Sequence, residues 1–168
     1  TMAESEDSEA APESSGGQRG GWLNRILVVV GLLGVALGLT MWAISSPAGA
    51  SPDDDYHLGS IWCPWPVESS GCDYREEDGQ IVAVTVPESV ARASACYAFH
   101  PEVSAACQDG LDDSTLSETR RFDDGTYPPG YYKFHSLFVG PNVFDSIVNM
   151  RIVNVVIGLG TTALVAAF

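Results

Sequence analysis

Three consecutive aspartates and a histidine, in the stretch Pro52-Asp53-Asp54-Asp55-Tyr56-His57, are the residues of this chain best suited to chemistry. On a helix, Asp53 and His57 are i,i+4 neighbours and Asp54 and His57 are i,i+3 neighbours, so one face presents carboxylates beside an imidazole. Such a face can hold a divalent cation through Asp53, Asp54, Asp55 and His57, or supply a carboxylate base next to a histidine. Acids in a first helical turn also favour the helix dipole and need no other purpose, so both readings stay open. An EF-hand is excluded, because Leu58 stands where that loop needs glycine and Pro64 where it needs its last acid. The chain has no P-loop, no G-x-S-x-G and no H-E-x-x-H. His100 and His135 stand alone and read as structural or solvated.

Four cysteines, Cys63, Cys72, Cys96 and Cys107, are separated by 8, 23 and 10 residues. Three disulfide pairings are possible, and the local one, 63–72 with 96–107, is expected. Each loop would stabilise by about 2.5–3 kcal/mol in the chain-entropy picture. A zinc site is the rival, but no C-x2-C pair is present.

The elements that position these residues are set by two apolar runs. Ile26 to Ile44 is 19 residues without a charge, about 28 Å as a helix and close to the thickness of a bilayer core. Trp22 and Trp42 flank it at interfacial positions. Gly31, Gly34 and Gly38 leave a smooth stripe that suits either another helix or lipid. A second run follows Arg151 and ends the chain after 17 residues; at about 25 Å it reads as a span cut short, and the chain as a fragment or truncated reading frame. Arg19 and Arg25 precede the first span and no base follows until Arg75, which places the N-terminus inside and the central segment outside. Arg151, at the outer end of the second span, is accommodated by snorkelling. Ala48-Gly49-Ala50 fits a signal-peptidase site that would leave Ser51 as the new terminus. The run exceeds the usual h-region, however, and the leader is acidic, so an uncleaved anchor is expected.

The chain therefore divides into an acidic, disordered cytoplasmic tail (1–21), a transmembrane helix (22–44), an extracytoplasmic loop domain (45–151) and a second, truncated transmembrane helix (152–168). The division explains how a net charge of −14 coexists with a mean hydropathy of +0.07. The loop domain holds 17 acidic and 6 basic residues, −11 of the total. That acidity excludes nucleic acid as a partner, because nothing neutralises a phosphate backbone. Within the loop, Ser51 as N-cap and Pro52 at N1 start a short helix that runs through about Trp62. Gln80–Val86 reads as a strand ending at Pro87. Ala91–Phe99 reads as helical and Asp109–Asp124 as acidic loop. Tyr127-Pro128-Pro129-Gly130 reads as a turn or polyproline stretch. Tyr131–Val139 is aromatic and suits the membrane interface, and Asn142 caps a last helix that runs into the second span.

Taken together, SPAGASPDDDYHLGSIWC after a first span, ACYAFHPEVSAACQ, TYPPGYYKFHSLFVG and SIVNMRIVN at a second span resemble the N-terminal part of an actinobacterial membrane family, the domain of unknown function 2142. The resemblance covers about residues 22–168, and P-D-[DE]-x-x-H and Y-P-P-G-x-Y are its more specific parts. Members are longer multi-pass proteins, so the resemblance implies an opening segment of a larger helical bundle. That family in turn resembles the polytopic glycosyltransferases that take a sugar from a polyprenyl phosphate. Their first outside loop carries an acidic residue or pair that acts as catalytic base or holds a metal near the donor phosphate. The resemblance puts Asp53 and Asp54 in those places, with Asp53 leading, since Asp54 stands where many relatives have the longer Glu. It implies a supporting role for His57, a loop motif at Tyr127, Pro128 and Pro129, and a divalent metal such as Mg or Mn as cofactor.

The expected fold is thus two transmembrane helices flanking a mixed, disulfide-containing extracytoplasmic loop. The expected function is that of a cell-envelope, glycosyltransferase-like enzyme in the membrane, with a lipid-phosphate sugar as partner and the piece alone inactive. The alternative is a non-catalytic two-span membrane protein whose disulfide-bonded acidic ectodomain binds a partner or an envelope polymer.

Overall fold

The computed structural model describes residues 17–167. Most of the acidic tail expected over 1–21 lies outside the described residues. The chain forms two compact units, one through Gly38 and one from Leu39 onward.

The described part of the first unit is helix. α1 (Gly17–Ser45) is a 29-residue helix, and 25 of its residues, Gly21–Ser45, are long and apolar enough to cross a membrane. No proline interrupts it, and its leucines and valines are exposed almost throughout. A helix apolar all round is stable only when lipid or other helices cover it. Apart from the adjoining turns of the helix itself, nothing described lies within 4 Å of a Cβ built at Gly31, Gly34 or Gly38.

The second unit holds the rest of the elements: α2 (Asp54–Trp62), β1 (Tyr74–Glu77), β2 (Gln80–Pro87), α3 (Glu88–Ala91), β3 (Leu116–Thr119), α4 (Gly130–Ser136) and α5 (Val143–Ala167). The three strands form one antiparallel sheet in the order β1-β2-β3. β2 is the expected strand, extended to include Pro87. It turns back from β1 through Asp78 and Gly79, both at positive φ, a pair that supplies the backbone of a tight hairpin turn. β3 lies inside the stretch read as acidic loop; Thr119 pairs with Val84 and Leu116 with Pro87, so its order comes from its neighbour rather than from its own residues.

Two local expectations are corrected. α2 starts at Asp54, not at Pro52, because Asp53 takes a left-handed conformation (φ 60°) and becomes the residue that precedes the helix; Asp tolerates that region better than most residues. Ala91–Phe99 is not helical. α3 stops at Ala91 and a chain of turns follows, ending with Phe99 at φ 65°. The last helix starts at Val143 and runs on through the expected second span. Asn142 caps it as expected, its side-chain oxygen accepting the Asp145 amide at 2.8 Å. Its early turns pack against the rest of the unit, since Val143, Ser146, Ile147 and Met150 are buried. Val143–Val165 meets the length and composition of a membrane span.

The core of the unit joins α2, β2, α3 and the first turns of α5 through Leu58, Val67, Val84, Val86, Val90 and Ile147. Cys63 is bonded to Cys72 and Cys96 to Cys107, and no free cysteine is present among the described residues. The first bridge is part of that core, and the second closes the turns that follow α3.

Candidate functional site

The acidic stretch opens α2, and its geometry decides which carboxylate faces what. Asp53 and Asp55 turn to one guanidinium. Arg121 places Nη2 at 2.7 Å from Asp53 and Nε at 2.9 Å from Asp55. Its planar fork suits two carboxylates better than an ammonium would. The Arg121 hydrogen bond holds the Asp55 carboxyl below its ordinary pKa, against the opposing effect of partial burial. The two aspartates in turn push Arg121 up. Asp54 turns the other way. Its Oδ2 accepts the Gly49 amide at 2.9 Å and lies 3.5 Å from Arg151 Nη2.

Arg151 is a junction. Its Nη1 donates to the Ser46 carbonyl at 2.5 Å and its Nη2 to the Pro47 carbonyl at 2.9 Å. A longer contact of 3.4 Å reaches the Ala43 carbonyl. These are the unpaired acceptors at the end of α1, where a positive charge is favoured. One side chain from α5 thus closes the end of one apolar helix and the start of α2.

Asp54, His57 and Arg151 line a cavity of about 350 Å³. Its apolar lining includes Leu39, Trp42, Ile147, Met150 and Val155. His135 and Asn154 add polar groups. His57 Nδ1 lies 3.1 Å from the Tyr132 hydroxyl, so the buried phenol holds a ring that also lines the cavity. His135 is structural. Its Nδ1 meets the Tyr131 carbonyl and its Nε2 the Asn154 side chain, both at 3.0 Å, tying α4 to α5. His100 lies on an exposed turn, 3.5 Å from Glu102.

Behind α2 lies a second polar cluster that sequence reasoning missed. Asp123 is completely buried. Its Oδ1 accepts the Tyr56 hydroxyl at 3.3 Å and the Tyr127 amide at 3.1 Å, and its own amide donates to Ser60 Oγ at 2.8 Å. Its Oδ2 has no partner. Burial and, secondarily, this carboxylate push the phenols of Tyr56 and Tyr132 up. Nothing in the sequence sets Asp123 apart from the other acids around it. Tyr127 packs edge-on against Tyr56, and Pro129 precedes α4. The Tyr127-Pro128-Pro129 motif therefore serves this cluster and the entry to α4 and does not line the cavity.

The donor set does not suit a divalent cation. Among the described residues no group of three or more His, Cys, Asp or Glu side chains gathers as a metal site. The positive charge that the aspartates attract is already supplied by Arg121 and Arg151. Because the Asp55 pKa is lowered in the folded chain, the ion pair adds stability above the ordinary carboxylate range and loses it as pH falls through the folded value. Arg121→Met should therefore be less stable than the parent at neutral pH. The gap should narrow as pH falls below about 4, as followed by chemical unfolding in detergent; a gap constant with pH would refute the pairing.

A family described as a predicted membrane protein (DUF2142) matches the chain over residues 36–167. No curated protein and no solved structure matches it.

Proposed function

We propose that this chain, which belongs to the DUF2142 family of predicted membrane proteins, supplies the catalytic carboxylate of a cell-envelope enzyme that transfers a sugar from a lipid phosphate. The observation that carries the reading is the cavity beside the ends of two apolar helices, where Asp54, His57 and Arg151 stand next to Leu39, Trp42 and Met150. Such a lining suits an amphiphile with an ionised head and a hydrocarbon tail. The orientation that goes with it puts the N-terminus in the cytoplasm and the segment between the spans outside, following Arg19 and Arg25.

Asp54 is the base in this scheme. It is the aspartate that lines the cavity, whereas Asp53 and Asp55 are held by Arg121. Asp54 takes the proton of an acceptor hydroxyl as that oxygen bonds to the anomeric carbon. The bond from the anomeric carbon to the phosphate oxygen breaks, and its electron pair leaves with the lipid phosphate. Once Asp54 is neutral, Arg151 keeps its charge without its carboxylate partner, and that charge faces the leaving phosphate. Asp53 positions α2 through Arg121.

A test is turnover of a radiolabelled polyprenyl-phosphate sugar in membranes that carry the natural full-length protein. Asp54→Asn is expected to lower transfer by about 100-fold or more, the usual worth of a positioned base. Asp53→Asn should cost far less, and both variants should insert normally. Unchanged transfer in Asp54→Asn would remove Asp54 from the chemistry. Absence of transfer by the parent protein would favour the second reading, a non-catalytic ectodomain that binds a partner or envelope polymer. One observation supports that reading: all three aspartates already have arginine partners.

A further inference from the structure

The geometry points to α4 as a membrane-docking element, seated on the lipid surface through Tyr131, Phe134 and Leu137, with Lys133 reaching the phosphate headgroups. At 100° per residue, positions 131, 134, 137 and 133 fall in one arc of the helix and 132 and 135 in the other. The burial follows this division. Tyr132 and His135 are buried, and Leu137 is 77% exposed with Phe134 and Tyr131 exposed beside it. A soluble surface has little reason to gather three such side chains on two turns.

The depth of α4 supplies the occupant. The His135 bond to Asn154 holds α4 against α5 eleven residues past Val143, or about 16 Å along the helix. There α5 is already in its apolar run, and its Val156 and Ile157 are exposed. The apolar arc of α4 therefore lies at the level of the exposed surface of a membrane helix, and the same lipid covers both. Lys133, the only lysine of the chain, stands exposed at the edge of the arc. In a segment of net charge −11, a lone cation at that place suits an anionic headgroup, with its methylene stem along the apolar surface. This inference rests on membrane insertion and is independent of the transfer chemistry.

The test places a photo-crosslinking residue, p-benzoylphenylalanine, at position 137 and separately at 134. The intact protein is reconstituted in vesicles of mixed phosphatidylcholine and phosphatidylglycerol, and the products are read by mass spectrometry. Lipid adducts are expected at both positions and none above background at position 116, an exposed leucine on β3. Both disulfides, checked without reduction, show that the labelled chains are folded. Adducts to a second protein chain in place of lipid, or no adducts at 134 and 137, would overturn the docking. With Lys133→Gln the excess of phosphatidylglycerol adducts should be lost; its persistence would overturn the headgroup contact. Asp54→Asn should leave every adduct unchanged, so failure here and failure of the proposed enzyme are distinguishable.

Discussion

Arg151→Met is expected to destabilise the second unit by about 3 kcal/mol, the lower end of what breaking a buried ion pair costs. The lower end applies because Arg151 and Asp54 keep 21% and 22% of their side-chain exposure. The methionine fills much of the volume but leaves Asp54 without its charge partner and the carbonyls of Ser46 and Pro47 without a donor. Thermal unfolding in detergent reads the loss. Arg151→Lys should recover only part of it, since one ammonium cannot reproduce the fork that spans a carboxylate and two carbonyls. Adding Asp54→Asn to Arg151→Met should cost less than the two single changes together, because the unpaired charge is then gone. Strict additivity would show that the two side chains do not interact.

Gly59→Ala should also destabilise, against the usual direction for a helix. At an open helical site the change gains about 1 kcal/mol of helix propensity. Here an added Cβ would lie 2.3 Å from the Arg121 carbonyl oxygen, well inside contact, and the obstacle is backbone rather than a side chain that can rotate away. Overpacking of this kind costs about 3 kcal/mol at the upper end of its common range, so the net loss is about 2 kcal/mol. The clash also pushes α2 away from the segment that carries Arg121, so the Asp53 and Asp55 pairs should weaken with it. A thermal midpoint equal to or above that of the parent would refute the close approach.

The same contact shows what kind of feature a sequence conceals. Gly59 reads as an ordinary weak point in a short helix, and only the strand end folded beneath it gives it a purpose. Asp53 and Asp55 are visible as an acidic pair, but their partner is 68 and 66 residues away, and several other bases were equally eligible by distance along the chain. Asp123 is hidden for another reason. It is one acid among many in a stretch that looks solvated, and burial is not written in its neighbours. β3 was invisible because Leu116-Ser117-Glu118-Thr119 has no strand pattern of its own and is ordered by β2. β2 was legible from its run of β-branched residues, while its hairpin partner β1 was not read, because Tyr74-Arg75-Glu76-Glu77 is polar and is ordered by pairing with β2.

Local physics explains the rest of the division. Two apolar helices, a segment of dense acidity between them and two short disulfide loops were all determined by the sequence, because hydropathy over about 20 residues and closure of a small loop need no distant partner. Which aspartate meets the cavity was decided only by the tertiary structure. Asp53, Asp54 and Asp55 are equal in type and adjacent in the chain, and they are told apart by the left-handed turn at Asp53 and by two arginines that arrive from β3's far end and from α5. An ion pair is chosen by proximity in space, and proximity in space is what a linear sequence leaves open.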